Sequence, residues 1–255
     1  MTSLAWSEAV LLRRNPLAVL IAIGLPIGVV LGLRSSAELM SAVAADPGVA
    51  IVITVTAVSL NLFVYYNLVT ALVARREDLV LKRLRAGEAT DVQILAGTAA
   101  PSVAIAWGQA VLAGLTSAVL FGLPVPVNLL LVVLALVLGS LVFVLLATAT
   151  TTLTSSVELA QLTTTPMLLI PLTFSGLYFP LADLPAPLEQ LALLLPLTPV
   201  VELLRLGLSG TTADGSTVDL AGSFAPAVQP VLVLLAWVVM GGLATRRWFR
   251  WEPRR

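Results

Sequence analysis

Residues 128–153, NLLLVVLALVLGSLVFVLLATATTTL, hold no charged side chain, and their polar groups are confined to Asn128, Ser140 and a closing run of threonines. About 20 consecutive apolar residues is the length an α-helix needs to cross a hydrocarbon core about 30 Å thick. The stretch therefore reads as a membrane span, and similar blocks recur at 17–33, 49–73, 94–121, 157–179 and 227–245. The whole 255-residue chain is 58% hydrophobic and only 11% charged, against roughly 45–50% apolar and about 25% charged in soluble domains. Lipid is the expected solvent. The fold class expected is an all-α membrane protein, a single transmembrane domain over 1–255 with six transmembrane helices.

The connections between the blocks refine this picture. Gly122-Leu-Pro-Val-Pro126 is a tight turn that makes the third and fourth spans a hairpin. Residues 3–14 set Leu4, Trp6, Ala9, Val10 and Leu11 against Ser7, Glu8 and Arg14, the pattern of an N-terminal interfacial helix. Pro180, Pro185, Pro187, Pro196 and Pro199 interrupt the apolar stretch 180–208, so no unbroken helix crosses there. Short re-entrant or interfacial helices are expected instead, followed by a polar loop from Ser209 to Ser223, all within an extracellular region at 180–226.

Basic residues sort by side. Arg13 and Arg14 precede the first span; Arg75, Arg76, Lys82, Arg83 and Arg85 follow the second; Arg246, Arg247, Arg250, Arg254 and Arg255 follow the sixth. Only Arg34 and Arg205 fall opposite. The positive-inside rule then places both termini and the 74–93 loop in the cytoplasm, with Trp248 and Trp251 suited to an interfacial belt. Arg13-Arg14, the apolar run and Ala42-Val43-Ala44 imitate a cleavable signal peptide, but the run exceeds the usual ~7–15-residue core of such signals. Its removal would also leave five spans and spoil the charge sorting.

Composition excludes much chemistry. The chain has neither cysteine nor histidine, which removes disulfides, thiolate metal sites and the commonest acid/base and metal-ligating side chain. No metal site and no catalytic residue are expected. Net charge is zero, which argues against nucleic acid as a partner. A Walker A loop needs a lysine directly after glycine, and the only lysine, Lys82, follows Leu81. If ATP drives this protein, another chain must hydrolyse it.

The stretch Arg75-Arg76-Glu77-Asp78-Leu79-Val80-Leu81-Lys82-Arg83-Leu84-Arg85-Ala86-Gly87 can form a charged amphipathic helix with Leu81 and Leu84 on one side and Gly87 as its stop. It serves either as a solvated topogenic loop or as a docking helix for a partner. In the second span Thr56, Ser59, Phe63, Tyr66 and Thr70 recur at steps of three or four, flanked by Asn61, Tyr65 and Asn67. Polar groups are costly in hydrocarbon, so this face meets either neighbouring helices or a substrate path. Gly24, Gly28 and Gly32 form a small-residue ridge for helix packing, and Pro166 and Pro171 allow the fifth span to bend. The carboxylates Glu8, Glu158, Glu189 and Glu202 all sit near span boundaries. None is buried mid-span with a basic partner, which disfavours an ion-coupled carrier.

Leu153-Thr-Ser-Ser-Val-Glu-Leu-Ala-Gln161, Phe174-Ser-Gly-Leu-Tyr-Phe-Pro180, Leu184-Pro185 and Leu195-Pro-Leu-Thr-Pro199 resemble the carboxy-terminal signature of ABC-2 type membrane proteins. Arg76-Glu77-Asp78 through Leu81-Lys82-Arg83-Leu84-Arg85 looks like that family's coupling segment, and Arg14-Asn15-Pro16 resembles its usual start. The similarity covers essentially the whole chain and is strongest to the daunorubicin-resistance type of exporter. It implies the six-helix ABC-2 (type V exporter) fold, a second copy or related permease across a central path, and ABC ATPase subunits beneath. No cofactor would be bound directly; ATP and Mg would belong to the partner subunit. Carried over, Arg76, Glu77, Asp78, Leu81, Lys82, Arg83 and Arg85 would contact the ATPase, and Asn61, Phe63, Tyr66, Asn67, Phe174 and Tyr178 would approach the path. The setting implied is a bacterial plasma membrane, with a drug-like or other amphiphilic substrate exported. Export of lipid, peptide or glycan, a stand-alone secondary transporter, and a membrane enzyme or assembly factor are the competing readings.

Overall fold

The computed structural model describes residues 43–87, 90–213, 215–249 and 251, together with Gly28. The interfacial helix expected at 3–14, the first span at 17–33 with Gly24 and Gly32 but apart from Gly28, and the arginines at 13, 14, 34, 250, 254 and 255 lie outside the described residues. Among the described residues all regular structure is helical, apart from an isolated bridge between Thr211 and Thr217.

Polar caps start most of the long helices where apolar sequence alone would leave four backbone N–H groups without partners. Helix α1, Pro47–Glu77, begins with Pro47 in its first turn and Asp46 accepting from Val49 N at 3.1 Å. A six-residue helix α2, Val80–Arg85, follows after a sharp reversal. Helix α3, Asp91–Phe121, opens on a capping box between Thr90 and Gln93 and ends at Gly122. Helix α4, Leu129–Thr151, is capped by Asn128, and α5, Val157–Thr173, by Ser156. A short 3₁₀ turn at Leu181–Asp183 leads into α6, Ala186–Leu193, and α7, Thr198–Ser209; α8, Phe224–Trp248, closes the fold.

Four of these, α1, α3, α4 and α8, are long and apolar enough to cross a membrane. Helices α6 and α7 together carry enough apolar length for a fifth crossing but are bent by 79° at their break. The expected span 157–179 is shorter than its sequence range. Helix α5 stops at Thr173, Gly176 takes a φ of 80° beyond it, and 17 residues make only about 26 Å of helix. The expected loop at 74–93 is also largely helical, since α1 runs to Glu77 and α3 starts at Asp91.

Helix α1 is the centre. Of its most apolar window, 78% is buried within the protein, against 28% for α3, 39% for α4 and 22% for α8. It packs on α3, α4, α5 and α7, while α8 covers α4 and α7. The apolar surfaces of α3 and α8, including Val111, Leu115, Val119, Leu232, Val239 and Leu243, are exposed as a lipid-facing helix requires.

Small residues set the closest approaches. Gly139 on α4 lets Leu60 of α1 and Val200 of α7 come within about 3.0 Å of where a Cβ would stand. At Gly207 on α7 a Cβ would lie 2.7 Å from Val132 Cγ2 and 3.0 Å from the backbone atoms Asn128 O and Val132 N. Asn128 N also donates to Gly207 O at 2.9 Å, and Asn128 Nδ2 to Ser223 Oγ at 2.8 Å, so one asparagine joins the starts of α4 and α8 to the end of α7. The α6–α7 break is satisfied internally: Thr198 Oγ1 donates to Ala192 O at 2.6 Å and Trp237 Nε1 to Leu194 O at 2.8 Å.

Because backbone cannot yield as a side chain can, Gly207→Ala is expected to destabilise the protein by about 1–3 kcal/mol. Gly114→Ala on α3, where nothing lies within 4 Å, should be neutral or slightly stabilising. Thermal unfolding of both variants in detergent checks the contrast.

Candidate functional site

The charged segment after α1 is held from inside and exposed outside. Helix α1 ends at Glu77, and Leu79 reverses the chain with a φ of 58°, the only positive φ outside glycine among the described residues. Leu81 is fully buried and Leu84 is half-buried against the same core, as the amphipathic pattern requires. Glu77, Asp78, Lys82, Arg83 and Arg85 are exposed. Arg85 Nε lies 3.3 Å from Asp91 Oδ1, with its guanidinium 5.0 Å from the Trp251 ring centroid, and Trp251 meets Phe249 edge-on. The half-exposed ion pair to the start of α3 contributes little to stability, and the Trp251 contact places the chain just past α8 beside α2. Arg75, Arg76, Lys82, Arg83, Arg85, Arg246 and Arg247 thus share one end of the molecule, the basic end.

Two residues expected on the partner-facing surface are turned inward. Leu81 belongs to the core, and Arg76 is 2% exposed. Its Nη1 donates to Thr151 O at 2.8 Å and its Nη2 to Thr154 O, so the guanidinium bridges the last carbonyl of α4 and one in the turn beyond it, a favourable place for a cation. Neighbouring Arg75 points the other way, donating to Thr98 Oγ1 on α3 at 2.8 Å. The sequence shows two adjacent arginines but not this division, because it does not reveal that α4 ends beside α1.

The polar stripe on α1 also divides. Residues Leu60–Tyr66 wind as a π-helix, a form that recurs at functional sites and that residue pattern does not disclose. Asn61 is fully buried and donates through Nδ2 to Leu168 O on α5 at 2.9 Å, between Pro166 and Pro171. Tyr65 is buried with its hydroxyl 3.1 Å from Thr150 Oγ1, and Ser59 bonds Gln109 on α3. These three are interhelical contacts, so Asn61 is removed from the open face. Phe63, Tyr66 and Thr70 are half-buried and Asn67 is exposed, forming a stripe that faces away from the packed side.

Helices α1 and α5 run antiparallel, since Arg76 meets the start of α5 while Asn61 meets Leu168. At 1.5 Å rise per residue, Asn67 and Phe174 lie about 18 Å apart along that seam. Phe174 is half-buried against Phe179 at 6.2 Å between centroids, and Tyr178 is exposed. The proposed path residues therefore mark two depths of one seam rather than a single pocket.

A second group of polar side chains lies at the opposite end. Glu202, Arg205 and Ser209 form a half-buried line at helical spacing on α7, whose other sides are buried. Glu202 and Arg205 border a cavity of about 690 Å³ with Glu189 of α6, Leu181 and Gln229. Arg205 Nε donates to Val43 O at 2.9 Å. Arg205, one of the two arginines outside the charge sorting, is thus placed by a backbone carbonyl and a nearby carboxylate.

Residues 34–245 match the family model described as "ABC-2 family transporter protein". No curated protein matches the chain at a significant level.

Asn61→Ala should lower stability by about 0.6–1.7 kcal/mol, the range for hydrogen bonds between membrane helices, whereas Asn67→Ala should leave it unchanged. Thermal unfolding of the two variants in the same detergent separates buried from open amide.

Proposed function

The chain belongs to the ABC-2 transporter family, and from that premise we propose that it is the permease subunit of an exporter that moves a drug-like amphiphile outward with a separate ATPase subunit. Membership makes it a multi-pass transmembrane component of an ABC transporter and not itself a catalyst. The daunorubicin-type substrate class, outward direction, pairing with a second copy, bacterial plasma-membrane setting and cytoplasmic termini are parts of the proposal. ATP and Mg belong to the partner subunit in this reading.

The observation that carries it is the segment from Glu77 to Arg85. A topogenic loop needs only charge, whereas this segment is anchored by Leu81 and Arg76 and offers Glu77, Asp78, Lys82, Arg83 and Arg85 on one exposed surface. Fixed charges of both signs suit docking, where register and partner choice depend on complementary charge. Partner closure on ATP binding would push this anchored segment as a unit. Phe63, Tyr66 and Asn67, then Phe174 and Tyr178, would line the way out, aromatic and amide groups suiting an amphiphile.

One observation favours a stand-alone carrier: the carboxylate and guanidinium of Glu202 and Arg205 beside a broken helix pair, an arrangement that carriers use. The two readings part on the energy source.

Purification from native membranes in mild detergent should yield a co-purifying Walker A subunit with vanadate-sensitive ATP hydrolysis. Glu77→Ala and Arg83→Ala should each reduce ATP-driven transport about fivefold, as losing about 1 kcal/mol of docking energy implies. An intact protein without any ATPase, whose transport follows an ion gradient, would sink the exporter reading.

A further inference from the structure

We propose that Arg76 is a positioning residue that ties the charged segment after α1 to the turn between α4 and α5, so that displacement of one carries the other. The inference rests on the reading of that segment as the ATPase docking site, and it assigns to Arg76 a role distinct from contact with the partner.

The geometry is that of a strut. Arg76 lies in the last turn of α1, immediately before exposed Glu77 and Asp78 and three residues before the reversal at Leu79. Its side chain runs inward, and its two terminal nitrogens reach carbonyls on either side of a helix end, Thr151 inside α4 and Thr154 beyond it. Thr154 is itself fully buried. Its hydroxyl bonds back to Thr150 O at 3.0 Å and across to Thr163 Oγ1 of α5 at 2.7 Å. The backbone carries the exposed charges into Arg76, and hydrogen bonds from Arg76 to Thr154 O and from the Thr154 hydroxyl to Thr163 continue the connection to the first turns of the proline-containing α5.

The chemistry selects arginine. A guanidinium is planar, stays charged when buried and holds two acceptors in fixed relative positions, while an ammonium is a compact point charge. Charge-assisted bonds to the last carbonyls of a helix are strong where water is excluded. By comparison the Arg85–Asp91 pair at the other end of α2 has both side chains about half exposed, at 53% and 51%, and is a looser connection. Pushing on α2 thus meets a stiff contact to the α4–α5 turn at Arg76 and a soft one at Arg85. Turn motion passes directly into α5, which meets α1 again at Asn61.

The test uses the permease with its ATPase subunit in proteoliposomes, and in parallel the permease alone in detergent. Arg76→Met and Arg76→Lys should still co-purify with the ATPase subunit, because the side chain is absent from the exposed surface. Substrate moved per ATP hydrolysed should fall about tenfold or more in Arg76→Met, on the scale of losing charge-assisted hydrogen bonds, with partial retention in Arg76→Lys. In the permease alone, amide exchange at residues 152–156 should rise about tenfold in Arg76→Met, reporting local release of the turn. Thr163→Val, which removes only the hydroxyl at the far end of the chain, should lower transport per ATP in the same direction and covers the case in which Arg76→Met does not accumulate. Unchanged exchange at the turn, or normal transport per ATP in Arg76→Met and Thr163→Val, overturns the strut. Wild-type permease that never retains an ATPase overturns the docking reading instead, while the exchange measurement still decides whether Arg76 holds the turn.

Discussion

Inside a bilayer a polar group has no water to fall back on, so each one that leaves the interface must find its partner within the protein. Helix α1 concentrates that demand. It carries Ser59, Asn61, Tyr65, Arg75 and Arg76 through the interior, and its neighbours are placed so that Gln109, Leu168 O, Thr150, Thr98 and the last carbonyls of α4 stand opposite them. The arrangement of α3, α4 and α5 around α1 follows from these pairings together with the close approach of Leu60 permitted by Gly139. Helix α8, with few such groups, is left on the outside.

Helical class, membrane setting and the approximate position of α1, α3, α4 and α8 were legible because apolar length is a sequence property. Boundaries shifted where a signal other than hydropathy governs them. Glycine geometry at Gly176 shortened α5, and polar caps at Thr90 and Asp46 lengthened α3 and α1 at their starts. The π-helical turn at Leu60–Tyr66 was not legible, since no residue type there demands it. The break between α6 and α7 was legible from its prolines, but the Trp237 and Thr198 bonds that make it tolerable join residues 43 and 6 positions apart.

Site reading followed the same division. The amphipathic pattern around Leu81 and Leu84 separates a buried from an exposed side within α2, where Lys82, Arg83 and Arg85 are exposed, but the single helix expected over 75–87 is broken at Leu79, and Glu77 and Asp78 are exposed because they end α1 instead. Arg76 was misplaced because periodicity treats arginine as a surface residue unless a partner is in view, and its partners are 75 and 78 residues away. Asn61 was ambiguous for the same reason. Sequence alone presents Glu202 and Arg205 separately, one as a boundary carboxylate and one as an exception to the charge sorting. Their shared line on α7 became visible only with the helix start fixed at Thr198.

The burial of α1 has a consequence for how the molecule is made. Synthesis proceeds from the amino terminus, so α1 is complete while its partners are still to be translated: Gln109 follows Ser59 by 50 residues, and Leu168 follows Asn61 by 107. During that interval a helix destined for the interior has lipid, water or insertion machinery around its amide, hydroxyl and guanidinium groups. The two arginines at its end favour retention at the headgroup level, which keeps the segment from sliding deeper while it waits. The side chain that braces the finished protein therefore also moors the unfinished one.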